Sequence, residues 1–138
     1  MSELVRMSMS IDKGLYEKLE RMVADSGYLN RSEYIRDMIR DRIVHEEWNA
    51  DREVLGTITL IFDHHQRMLS ERLTEMQHHH HESILASTHV HLDRHMCAEV
   101  IIVRGPAGTV KHIADELRQQ KGVLHADLSI GSTGEMLA

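Results

Sequence analysis

The sequence predicts an α+β chain built as two small units: a strand and two helices over residues 1–49, then a βαββαβ unit over residues 50–138. Three observations predict this. Apolar residues alternate strictly in "VRMSMSI", the two-residue period of a strand. They then recur at three- and four-residue spacing as far as Trp48, the period of a helix. Beyond the polar stretch "NADRE", strand-like runs and helical stripes follow in the order strand, helix, strand, strand, helix, strand. A chain of 138 residues is one domain or two very small ones. With 41% apolar but only 4% aromatic residues, its core must be aliphatic and Met-rich.

The first unit opens with Val5, Met7, Met9 and Ile11 on one face of a strand and Arg6, Ser8 and Ser10 on the other. Asp12 stands at a cap position, and Leu15, Leu19, Met22 and Val23 form the stripe of the helix it starts. Gly27 ends that helix, because glycine takes the left-handed backbone of a helix C-terminus without steric cost. Asn30 caps the next helix, with Glu33 in the capping-box position, and Ile35, Met38, Ile39 and Ile43 are its stripe. A lone strand has no ladder partner, and about fifty residues bury too little surface to stand alone. A two-fold dimer that pairs the strand with its own copy removes both defects.

That pairing would set Arg6, Ser8 and Ser10 of both copies on one face of a two-stranded ribbon, a shape the major groove of DNA accepts. Arginine can bond two acceptors of guanine, hydroxyls suit either kind of base edge, and the helix start at Asn30-Arg31-Ser32 offers N–H groups to a phosphate. The net charge of −6 excludes a broad basic field. Residues 1–50 hold eight Lys/Arg against ten Asp/Glu, so DNA binding would rest on the placement of a few groups. The pattern alone equally fits a plain dimerisation unit with a polar face. "MSMSID" followed by "GYLNRSEYIRDMIR" resembles the ribbon-helix-helix family of transcription factors. The resemblance implies that Arg6, Ser8 and Ser10 touch bases; serine keeps the hydroxyl of the threonines common in that family but lacks the methyl that meets thymine.

In the second unit "EVLGTITLIF" reads as a strand and residues 66–81 as a helix that buries Leu69, Leu73 and Met76, with His80 continuing the stripe. "ILASTHVHL" and "AEVIIVRG" read as a hairpin turning at residues 93–96. "AGTVKHIADELRQQKG" reads as a helix closed by Gly122, "VLHADLSIG" as a last strand, and "STGEMLA" as a loose tail. The order is the split-βαβ pattern of ferredoxin-like domains, an antiparallel sheet with two helices on one face.

Residues 78–97, "HHHHESILASTHVHLDRHMC", hold seven of the twelve histidines and the only cysteine. Alternation sends His89 and His91 to one face of a strand, and hairpin spacing places Cys97 across from His91. Two strand histidines are ordinarily just solvent-exposed; a cysteine added at hairpin spacing makes a metal site the better account. His78 lies roughly 200° around the helix from Met76, so it faces away from its own core. If it binds the same ion, a site shared with a neighbouring chain is favoured. The alternative is a solvated helix end, where histidines suit the negative dipole pole. Three imidazoles and one thiolate suit zinc, copper or nickel, and four protein ligands leave no open position for catalysis.

The spacing Gln77-His78, then His89, His91 and Cys97, makes nearly all of residues 5–130 similar to one family, the nickel-responsive transcriptional regulators, which join a ribbon-helix-helix domain to an ACT-type regulatory domain. The resemblance implies one square-planar Ni(II) per chain on His89, His91 and Cys97, with His78 supplied by an adjacent subunit. It implies a homotetramer, two ribbon dimers on a palindromic operator, and repression of nickel-uptake genes. It also implies a second, potassium-like cation at Glu33 and Asp37, which residue reading alone makes a solvated face paired with Arg36 or Arg40. Gln77 and Glu99 are outer-shell candidates, Glu99 to orient a ligand histidine. Phe62 stands where relatives carry tyrosine, Ala98 replaces a larger aliphatic, and His79, His80, His81 and His95 receive no firm role, though the resemblance implies that extra histidines around the helix of residues 79–81 can hold further metal at lower affinity.

The expected function is thus a nickel-dependent repressor and not an enzyme, since no nucleophile–base pair stands out. A single cysteine, no apolar run of eighteen residues and no signal-like start fit a reducing cytoplasm and no membrane partner. Two rivals remain. A metal storage or delivery protein leaves the Arg6, Ser8, Ser10 face unexplained; a metal-independent repressor sensing a small molecule leaves the donor spacing unexplained.

Overall fold

A computed structural model describes residues 3–138. It divides into two compact units, one reaching to Ile43 and including Met136–Ala138, the other Val44–Glu135.

The first unit holds α1 (Lys13–Ser26) and most of α2 (Arg31–Asn49). Gly27 adopts the left-handed backbone, φ 81°, that ends α1. Asp12 precedes α1 with extended backbone but makes no side-chain cap. Asn30 does cap α2, its Oδ1 accepting from the Glu33 amide at 2.9 Å. The Glu33 carboxylate does not close the box; it pairs with Arg36 one turn on. Residues 3–12 take no strand hydrogen bonds within the chain, although "VRMSMSI" has a strand's alternation. A ladder needs a second strand, and this stretch pairs with none of the four that the described residues form.

The second unit contains β1 (Glu53–Asp63), α3 (Leu69–His79), β2 (Ile84–His91), β3 (Met96–Pro106), α4 (Ala107–Arg118) and β4 (Val123–Ile130). The four strands form one antiparallel sheet in the order β2-β3-β1-β4, the ferredoxin-like arrangement. Val54, Ile58, Leu60 and Phe62 of β1 bury alternate side chains with Ile101 and Val103 of β3. Leu69 and Leu73 of α3 join them, as do Val110, Ile113, Ala114 and Leu117 of α4. Each such fully buried aliphatic side chain contributes roughly 1.5–3 kcal/mol. Trp48, near the end of α2, belongs to this core, and its indole N–H donates to the Gly131 carbonyl at 2.8 Å. Gly56 is required there: a Cβ would lie 2.7 Å from Val110 Cγ1 and 3.1 Å from the Trp48 ring.

Three boundaries differ from the sequence reading. The helix expected over 66–81 starts at Leu69, because Asp63 Oδ1 accepts from the His65 amide at 2.9 Å and Met68 is left-handed, so the chain turns first. The helix expected to close at Gly122 ends at Arg118; Gly122, φ 103°, serves the turn into β4. The tail is tied at its root, where the Gly131 amide donates to Leu55 O at 2.8 Å and Ser132 Oγ to Glu47 Oε1 at 3.0 Å.

Candidate metal centre

β2 is an edge strand, and its pairing with β3 sets His91 opposite Cys97 and His89 opposite Glu99. Alternation keeps these four on the same sheet face as Phe62 and Leu60, the face that the helices cover. His89, His91 and Cys97 each bring a ligand atom within 4.8 Å of the others. Cys97 Sγ lies 3.4 Å from His91 Nδ1, and the two imidazole centroids are 5.2 Å apart. Cys97 is fully buried while both histidines are exposed, so the thiol is fixed by packing and the rings close from outside. Burial pushes the Cys97 thiol up from its ordinary value, and the carboxylates of Asp63 and Asp93 push the same way. A proton therefore sits on sulfur until a cation displaces it. Two imidazoles and a thiol at this separation suit nickel, copper or zinc.

His78 is exposed near the end of α3 and does not join the cluster within its own chain. With Ser70, Glu71, Thr74 and Glu75 it lines a shallow groove on the outer face of that helix. His80 points the other way: its Nε2 meets Glu116 at 2.7 Å, and His112 reaches the second oxygen at 2.9 Å. Sequence reasoning missed this clasp, which joins α3 to α4.

Glu99, expected as an outer-shell group, holds two donors near the cluster. Its Oε1 accepts from Gln77 Nε2 at 2.8 Å and from Ser87 Oγ at 2.6 Å. It thereby steadies the helix end next to His78 and the strand next to His89. Phe62, 1% exposed, stands edge-on to His89 with centroids 5.7 Å apart, so the ring restrains the histidine by contact, without a hydroxyl.

In the first unit Arg6, Ser8 and Ser10 are exposed, as are Val5, Met7 and Met9 between them. Arg31 is held by Glu20 at 2.7 Å and Tyr16 at 3.0 Å. Glu33 and Asp37 share a helix face, but Glu33 pairs with Arg36 and Asp37 accepts from the Tyr28 hydroxyl.

Two family models match: the ribbon-helix-helix protein, copG family, over residues 5–46, and the NikR C terminal nickel binding domain over residues 55–130. The chain is 50% identical to a protein of Geobacter sulfurreducens and 45% identical to one of Nitratidesulfovibrio vulgaris, each alignment covering 99% of both chains. Both carry the provisional name nickel-responsive regulator. The chain belongs to the nickel-responsive regulator family. Its first unit is that family's ribbon-helix-helix domain and its second the nickel-binding domain. The fold alone of the second is shared with an uncharacterized protein of Thermotoga maritima, at a TM-score of 0.52 and 15% identity over 57% of this chain and 98% of that one.

Proposed function

We propose that the chain is a nickel-dependent transcriptional repressor that acts in the cytoplasm as a homotetramer on a palindromic operator and shuts off nickel uptake. Residues 1–49 serve DNA binding and dimerisation, and residues 50–138 serve metal binding and tetramerisation. The observation that carries this reading is the convergence of His89, His91 and Cys97 while His78 faces outward. The cluster has three protein donors and the outward helix face has the fourth, so two copies complete each other's sites. One Ni(II) per chain would supply the link between subunits.

The chain's own groups do the rest. Cys97 gives up its proton on binding, Phe62 and Glu99 hold the strand and helix that carry the imidazoles, and Arg6, Ser8 and Ser10 of paired strands meet base edges. The exposed alternation of Val5, Met7 and Met9 supports that pairing, since an apolar strand face in water needs a cover. Coupling between sites of about 1–3 kcal/mol changes operator affinity roughly 5–150-fold, and DNA tightens metal binding by the same factor. A second cation at Glu33 and Asp37 would share carboxylates that already accept from Arg36 and Tyr28.

The test mixes two variants, His78→Ala and Cys97→Ser, each without the thiolate-to-nickel absorption band of the native chain. A shared site restores part of the band on mixing, because one chain brings the thiolate and the other the imidazole. No recovery would refute a site shared between copies. Operator titration with and without Ni(II) then checks the repressor role; equal affinity refutes it.

A further inference from the structure

The geometry points to a second metal site, formed by Asp63, His65 and His95 outside the Cys97 cluster, for a borderline divalent ion such as Co(II), Zn(II) or Ni(II). The ligand atoms of these three residues lie within 4.8 Å of one another. They come from two segments that the backbone ties together. Asp63 ends β1 opposite Met96, so His95, one residue earlier, sits beside it. The His64 amide donates to the His95 carbonyl at 2.9 Å, and the His65 amide turns back to Asp63 Oδ1 at 2.9 Å.

The imidazoles are already arranged. The rings of His65 and His95 stand 5.3 Å apart at 60°. His65 Nε2 lies 3.1 Å from the Arg94 carbonyl, and in the tautomer that donates there Nδ1 keeps its lone pair. A backbone carbonyl orienting the far nitrogen of a histidine is the usual outer-shell support of a metal ligand. Two nitrogens and one carboxylate oxygen suit cobalt, zinc or nickel over calcium and magnesium, which take oxygen shells. His65 and His95 are exposed, so water can complete the shell and the ion can leave. No thiolate takes part, so binding here is weaker than at Cys97 and lacks a sulfur charge-transfer band. His64 joins the two sites physically, its ring 3.9 Å from that of His65 and 5.6 Å from that of His91.

This inference stands apart from the shared-subunit reading, and its test is made where the Cys97 site is disabled. The full-length chain carrying His89→Ala, His91→Ala and Cys97→Ser is titrated with Co(II) and followed by equilibrium dialysis and visible spectra. It should bind cobalt with d–d bands and no sulfur band. Adding His65→Ala and His95→Ala should weaken this binding at least tenfold, the lower end of the loss seen when even an outer-shell partner is removed. Adding His79→Ala and His81→Ala should leave it unchanged, which separates the site from the histidine run. Binding that is absent in the His89→Ala, His91→Ala, Cys97→Ser chain, that survives further loss of His65 and His95, or that disappears with His79 and His81 overturns the proposal.

Discussion

In the first unit Val5, Met7 and Met9 stand 83%, 75% and 66% exposed, and α1 has no buried residue. In the second, Val54, Ile58 and Leu60 have no exposed surface at all. The stripes of both units are equally well written in the sequence, but only one finds its counterpart within the chain. If the first unit completes its core with a second copy, as proposed, its stability depends on protein concentration. The second is a closed fold whose metal centre, not its core, reaches outward. In the proposed assembly, dependence on a copy enters the two regions at different levels: packing in one, coordination in the other.

That contrast can be broken most forcefully at Ile58. Ile58→Ala should lower the thermal stability of the second unit by about 2–5 kcal/mol, equally at low and high protein concentration. A loss that shrinks on concentrating the sample would show that the second unit also borrows its core. Met9→Lys tests the other side. It should weaken dimerisation and operator binding by about 1–3 kcal/mol, measured by sedimentation and DNA titration, and leave the second unit's melting unchanged. Glu99→Ala comes next: losing its hold on Gln77 and Ser87 should weaken nickel binding roughly 10–100-fold while the fold survives.

The smallest effect belongs to Glu116. The hydrogen bond from His80 holds its carboxyl below the ordinary value, and the charge of His80 and the contact with His112 add to this. A folded value below the unfolded one contributes stability above the unfolded carboxylate range, and that stability is lost as pH falls through the lower folded value. The pair is partly solvated, so Glu116→Gln should cost only about 0.5 kcal/mol at neutral pH and nothing in strong acid. Chemical denaturation at both pH values checks this.

Most of the second unit was legible because its strands and helices each carry one clean period, and the pairing of His91 with Cys97 follows from hairpin spacing alone. The start of α3 was not, because an Asx turn at Asp63 overrode helical periodicity over residues 66–68. The Asp63, His65, His95 cluster was hidden for a related reason: its members lie 30 residues apart and meet only through the register of β1 on β3. Asp-His-His at a strand end was the available signal. The sequence shows that the Glu99 carboxylate faces the site but not which of several donors reaches it; in the structure these are Gln77 and Ser87.

One oxygen of Glu99 accepts from both α3 and β2. Tension on the histidine-bearing edge strand therefore passes to the helix end through a single atom, bypassing the sheet. Under the proposed shared site, whatever tightens the imidazoles on one side also tugs the His78 donor at that helix end, so the two halves of the clasp are set together.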